Sequence, residues 1–188
     1  MSVKDDVLRE VDLTDSSITD VDMELFGSFS SLEQLTLNGC RQLTDAGLVH
    51  LQGLTGIKGL GLERTNATGA GLSSLSGLTE LNYLSLNWTQ VGDGGLAHLS
   101  RLTNLGVLYL CDTNTADAGL LSLKGMSKLQ WLDLRGTQVT DAGVVHLSNL
   151  PQLRLLSLHG THLTDAGIPP LTELPNLEVL TISQTRVT

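Results

Sequence analysis

The stretch Leu129–Gln152, LQWLDLRGTQVTDAGVVHLSNLPQ, is the clearest of seven copies of one pattern in a chain of 188 residues. Its apolar residues fall at Leu129, Leu132, Leu134, Val139, Val144, Leu147 and Leu150. The same spacing starts at Leu81, Leu105 and Leu153, in steps of 24 residues, and looser copies start at Leu8, Leu32 and Ile57. A fixed period of this length marks a solenoid. The front of each copy, L-x-x-L-x-L, alternates at period two around Leu132 and Leu134, so Trp131, Asp133 and Arg135 face the other side of a strand. The return arm, V-T-D-A-G-V-V-H-L-S-N-L, moves to wider spacings that suit a helical turn better than a strand. One copy is therefore strand, turn, short helix, turn. It buries its apolar side chains only by stacking on neighbours.

The period divides the chain into an extension, residues 1–7, and one domain, residues 8–188. Within the domain the copies are 8–31, 32–56, 57–80, 81–104, 105–128, 129–152 and 153–176, with a partial copy at 177–188. In the first copy Met23, Phe26 and Phe29 replace the usual leucines, which makes both phenylalanines core residues of a wider end layer. Val3 and Val7 are placed to cover that end, because terminal copies need a cap. The partial copy stops at Val187-Thr188, before the expected DAGL, and leaves Leu177, Leu180 and Ile182 as an open apolar layer. That layer suggests either a fragment of a longer array or an end that self-associates. Ile168-Pro169-Pro170 forbids a regular helix interior and predicts a single turn in the seventh copy.

The formal net charge is −9, and residues 1–24 carry eight acids against two bases, a net of −6. An acidic chain without a basic stripe is a poor candidate for nucleic acid. Cys40 and Cys111 sit three copies apart, at least roughly 14 Å at one strand spacing per copy, beyond any disulfide. MSVKDDVLREV contains no signal-like apolar run, and nothing reaches the length of a membrane span. These features exclude a membrane partner and favour an intracellular compartment. Asn66-Ala67-Thr68 and Asn87-Trp88-Thr89 would be glycosylation triplets only in a secreted protein.

The second copy reads L-x-x-L-x-L-N-G-C-x-x-L-T-D-x-G-L across Leu32–Leu48, and it resembles the cysteine-containing, F-box-associated class of leucine-rich repeats. The other copies, with Thr at the Cys40 position, resemble the TDAGL-type repeats of that superfamily. The likeness covers residues 8–188. It implies an α/β fold: a right-handed, curved solenoid with a parallel sheet on its concave face and short helices or turns on its convex face. It also implies protein binding through the concave face. No F-box motif precedes the repeats. At the turn position stand Cys40, Thr65, Thr89, Thr113, Thr137, Thr161 and Thr185, predicted to bond loop backbone in a ladder along the stack. Thr44, Thr68, Thr140 and Thr164 occupy helix N-caps, followed at Asp45, Asp141 and Asp165 by acids suited to the positive end of the helix dipole. Gly92 and Ala116 replace the cap and should start their arms less firmly.

Four of the six aromatic residues, Tyr83, Trp88, Tyr109 and Trp131, fall at outward positions. Tyr83, Val107, Trp131, Leu155 and Val179 make one stripe about 19 Å long at one strand spacing per copy. Beside it stand Glu63, Arg64, Asp112, Asp133 and Arg135. Aromatic anchors in a charged surround have the composition of a protein-binding hot spot. The expected activity is thus non-catalytic binding of a protein or peptide by the concave face. Three alternatives stand beside it: a structural, self-associating segment; a carbohydrate surface with rings stacking on sugars; and the substrate-recognition part of a larger ubiquitin-ligase-like protein.

Catalytic arrangements fail on spacing, and no metal or cofactor is expected. His50, His98 and His146 share one register in every second copy, roughly 10 Å apart at the closest, too far for one zinc ion. Cys111 and His159 stand two strands apart, about 9.6 Å, whereas a nucleophile and its base need about 3 Å. The glycines of Gly92-Asp93-Gly94-Gly95 belong to a repeat turn and form no phosphate loop.

Overall fold

In each repeat three residues adopt the extended conformation, and the next twenty or so carry the chain back to start a parallel neighbour. The computed structural model describes residues 8–188, and the covering role expected of Val3 and Val7 lies outside the described residues. The strands are β1 (Glu10–Asp12), β2 (Gln34–Thr36), β3 (Gly59–Gly61), β4 (Tyr83–Ser85), β5 (Val107–Tyr109), β6 (Trp131–Asp133), β7 (Leu155–Ser157) and β8 (Val179–Thr181). They form one sheet in chain order, every neighbouring pair parallel. Register is kept throughout: Val107, Trp131 and Leu155 are Cα partners across β5, β6 and β7. The return arms include short α-turns such as Asp45–Leu48 and Asp141–Val144, continued by 3-10 turns, and 3-10 helices alone, as at Asp22–Ser28 and Gly71–Leu75. Short helices on one face of a parallel sheet make this an α/β solenoid.

The core is a file of leucine layers. Leu129, Leu132, Leu134, Val139, Val144, Leu147 and Leu150 are each at most 1% exposed. Burying one such side chain stabilises by about 1.5–3 kcal/mol, so a layer without its neighbour would lose most of its reason to fold. At the first layer Met23 and Phe26 are buried, while Phe29 is half-buried and meets Phe26 edge-to-face at 5.8 Å. In the seventh return arm Pro169 and Pro170 fall in the first turn of the helix Ile168–Thr172. Proline lacks an N–H, and at this end of a helix none is needed.

The loops depart from expectation in two ways. Each turn threonine bonds within its own turn: the Oγ1 of Thr65, Thr89, Thr113, Thr137 and Thr161 donates to the carbonyl three residues earlier, at 2.6–2.8 Å. The predicted ladder along the stack is absent at these threonines, and of the turn column Cys40 bonds across repeats, its thiol donating to the Leu13 carbonyl at 3.2 Å. The threonine hydroxyl closes its own turn, at Thr65, Thr89, Thr137 and Thr161 on a carbonyl that also accepts the same residue's N–H. The ladder is made instead by aspartates. Asp117 Oδ1 accepts from the Thr140 N–H at 2.7 Å, and its Oδ2 accepts from the Thr140 hydroxyl at 2.7 Å. Asp20–Thr44, Asp45–Thr68, Asp141–Thr164 and Asp165–Thr188 repeat this arrangement. Thr44, Thr140 and Thr164 do cap their arms, whereas Gly92 and Ala116 make no side-chain cap.

The rim has a backbone feature of its own. Asp15, Arg64, Trp88, Asp112 and Gln184 have φ of 52–56°, and Gly39, Gly136 and Gly160 take the same position at 65–75°. Each repeat leaves the sheet through a left-handed residue. Where that residue is not glycine the backbone is strained by about 1–3 kcal/mol, which the surrounding packing must hold.

Candidate functional site

Register alone places the aromatic residues. Tyr83 lies across from Val107 on β5, and Tyr109 across from Asp133 on β6. The rings then meet one another edge-to-face: Tyr83 to Tyr109 at 5.7 Å and 73°, Tyr109 to Trp131 at 5.4 Å and 76°. Trp131 is 39% exposed and Trp88 41%, while Tyr83, Val107, Tyr109 and Leu155 are half-buried. The row forms the floor of a hollow of about 550 Å³. Glu63 and Asn87 line its β3–β4 side; Leu155, His159 and Val179 line the β7–β8 side. Arg64 and Trp88 stand on the rim, the guanidinium 4.3 Å above the indole in a cation–π contact.

Two outward positions with ionisable side chains prove to be closed. Asp133 is only 2% exposed, because Arg135 folds back onto it: the guanidinium donates from Nε at 2.9 Å, and its terminal nitrogen lies 2.7 Å from the carboxylate in an ion pair. The Arg135 N–H adds a further bond to the same carboxylate at 3.1 Å. Hydrogen bonding by Asp133 pushes the Arg135 pKa up. Asp133 therefore holds its neighbour in place and offers little to a partner. Cys111 is 5% exposed, with its N–H donating to Asn87 Oδ1 and its thiol donating to Asp112 at 3.2 Å. Burial first, then Asp112, pushes that thiol up to about 12. A neutral thiol at physiological pH is no nucleophile.

Glu63, Tyr83 and Tyr109 remain partly open to contact. Glu63 is half-buried and accepts from the Ser85 hydroxyl at 3.2 Å. Burial raises the Tyr83 and Tyr109 pKa values, and the Glu63 charge adds to the rise at both phenols. The two tyrosines stay neutral donors at any physiological pH. Val107 and Leu155 fill the stripe between and beside the rings.

Catalytic pairings find no support in the geometry. His159 Nδ1 lies 2.7 Å from Ser183 Oγ, and Cys111 faces Asp112, so each has a partner other than its hypothetical mate. His50, His98 and His146 lie in separate return arms. Among the described residues no group of three or more His, Cys, Asp or Glu is placed to hold a metal ion. No helix of the described residues is long and apolar enough to cross a membrane.

Three hollow residues escape the hydrophobic pattern. Asn87 is 7% exposed and braces the next turn through the Cys111 N–H. His159 and Ser157 line the β7 side, and the Ser157 hydroxyl is enclosed without a hydrogen-bond partner. Their column positions are readable from the period, but periodicity carries no information on which polar side chain bonds to which backbone.

A leucine rich repeat profile matches residues 103–163, and a second one matches residues 78–100. Over those residues the solenoid matches leucine-rich repeats. Among solved structures, internalin C2 from Listeria monocytogenes is similar over 94% of this chain and 71% of its own, with 28% identity and a TM-score of 0.80. A second internalin from that organism, inlF, shares the fold over 96% of this chain and 63% of its own, at 24% identity and a TM-score of 0.60. No curated protein sequence matches the chain.

Proposed function

We propose that the leucine-rich-repeat solenoid is a non-catalytic interaction module whose concave face binds a folded protein or a peptide. The carrying observation is the row Tyr83, Tyr109 and Trp131 on the outward side of the sheet, where none of the three rings is needed to fill the leucine core. Tyrosine and tryptophan supply large contact areas at low entropy cost, and both concentrate in interface centres. Val107, Leu155 and Val179 extend the apolar floor, and Glu63, Arg64, Trp88 and Arg135 form its polar surround. The repeats are of the TDAGL type, with one copy of the cysteine-containing class at Cys40, whose buried thiol donates to the Leu13 carbonyl. The test is the double replacement Tyr109→Ala and Trp131→Ala. Capture of partner should disappear while the circular dichroism spectrum stays unchanged; capture that survives both changes moves the footprint elsewhere.

Self-association is the second reading. It draws on Val179, which is 48% exposed on the outermost described strand beside a half-buried Leu180. A solution mass that rises with concentration supports it, and a constant monomer mass removes it.

A further inference from the structure

The charge of the concave face differs from that of its aromatic floor. Its outward and rim positions hold Glu10, Asp12, Asp15, Glu63, Asp112 and Asp133 against Arg64 and Arg135, a formal net of −4. The two cations are already engaged: Arg135 on the Asp133 carboxylate and Arg64 over the Trp88 ring. The acids are not equivalent. Asp12 accepts from the Thr14 N–H and hydroxyl, Asp112 from the Cys111 thiol, and Asp133 from Arg135. Glu63 differs from these. Among the described residues its side chain accepts only from Ser85 Oγ, and it takes part in none of the four ion pairs. Yet it is half-buried at the wall of the hollow, with the Tyr83 and Tyr109 rings beside it.

A carboxylate drawn partly out of water with no cation keeps an unmet electrostatic demand. The rings next to it present π-faces that attract the same sign of charge. A metal ion would need further ligands, and no cluster of three is present among the described residues. An anionic group would meet Glu63 and the buried Asp133, with Arg135 already bonded to the latter. We propose that the hollow between Glu63 and the Tyr83–Tyr109 pair receives a lysine or arginine side chain of the bound segment, with Glu63 as its counter-ion. The same recognition chemistry is visible within the chain, where Arg64 lies 4.3 Å above Trp88. This inference rests on the concave face being the binding surface.

The test is a random-peptide display selection against the full chain, with the Tyr109→Ala, Trp131→Ala double variant as the counter-target. Peptides that need both rings should share one position enriched in Lys or Arg. A synthetic copy of one such peptide is then titrated by calorimetry, beside a copy with citrulline in place of arginine, against the native chain and Glu63→Gln. Citrulline and Glu63→Gln should each weaken binding by about tenfold to a hundredfold, the size of one charge-assisted contact, and together by little more than either alone. An unchanged thermal midpoint for Glu63→Gln excludes a folding defect. Ring-dependent peptides without the basic position, or without sensitivity to Glu63→Gln, overturn this inference and leave the concave-face reading standing. Recovery of no ring-dependent peptide overturns this inference and, with it, the peptide form of the concave-face reading.

Discussion

Replacing Asp117 with alanine isolates what the aspartate ladder contributes. Asp117 accepts two bonds from the next repeat, the Thr140 N–H and hydroxyl, each at 2.7 Å. One repeat earlier Asp93 occupies the same place, but its neighbour is Ala116, which offers only an N–H at 2.7 Å. Both acids lie in the first turn of a short helix, so any helix-dipole contribution cancels between them. A bond to an ionised group contributes about 1.5–3 kcal/mol, and the lower end applies at these half-exposed sites. Asp117→Ala should thus cost about 3 kcal/mol and Asp93→Ala about 1.5 kcal/mol. Urea unfolding measures both, and an unchanged m-value shows that the array still unfolds as one unit. Equal losses in the two variants would refute the reasoning, because the dipole and not the hydrogen bonds would then be the source.

Further outcomes follow from particular groups. Gly136→Ala should destabilise by about 1–2 kcal/mol in the same unfolding assay, since an L-residue is strained at its φ of 65° and its Cβ would run into Asp112. Cys111 should resist iodoacetamide at pH 8 in the native chain and react once unfolded, because its thiol is pushed up to about 12. At Asp20 burial pulls the pKa up, but the Thr44 hydroxyl and N–H and the Gly47 N–H outweigh it and hold the carboxyl below the usual aspartate range. Asp165 is lowered by the Thr188 N–H and hydroxyl. A carboxylate lowered by folding stabilises the chain above its unfolded pKa, and that share is lost as pH falls through the folded value. The urea midpoint should hold from pH 7 to about pH 5 and drop below about pH 4, less so in Asp20→Asn; a midpoint that rises on acidification would contradict this.

The solenoid and the outward placement of Trp131 are legible in the sequence because a 24-residue period repeats the same layer, and Leu132 and Leu134 fix which side of β6 is buried. Hydrophobic period says less about polar side chains. Asp133 shares the outward side with Trp131, yet is closed by an arginine two residues on, a local fold-back that no alternation predicts. Thr137 and Asp117 are both short polar residues in loops. Their different partners, one within its turn and one across repeats, depend on where nearby backbone carbonyls and N–H groups point. The left-handed rim is hidden for a related reason: Gly136 and Gly160 hint at it, while Trp88 and Arg64 at the same place do not.

The most direct test of the concave face uses its own tryptophan. With Trp88→Phe, Trp131 becomes the single indole, 39% exposed in the free chain and open to acrylamide quenching. Saturation with a bound protein or peptide should shift its emission to the blue and reduce the quenching severalfold. Emission and quenching unchanged at saturation would show that the partner binds without covering Trp131, contrary to the proposed function.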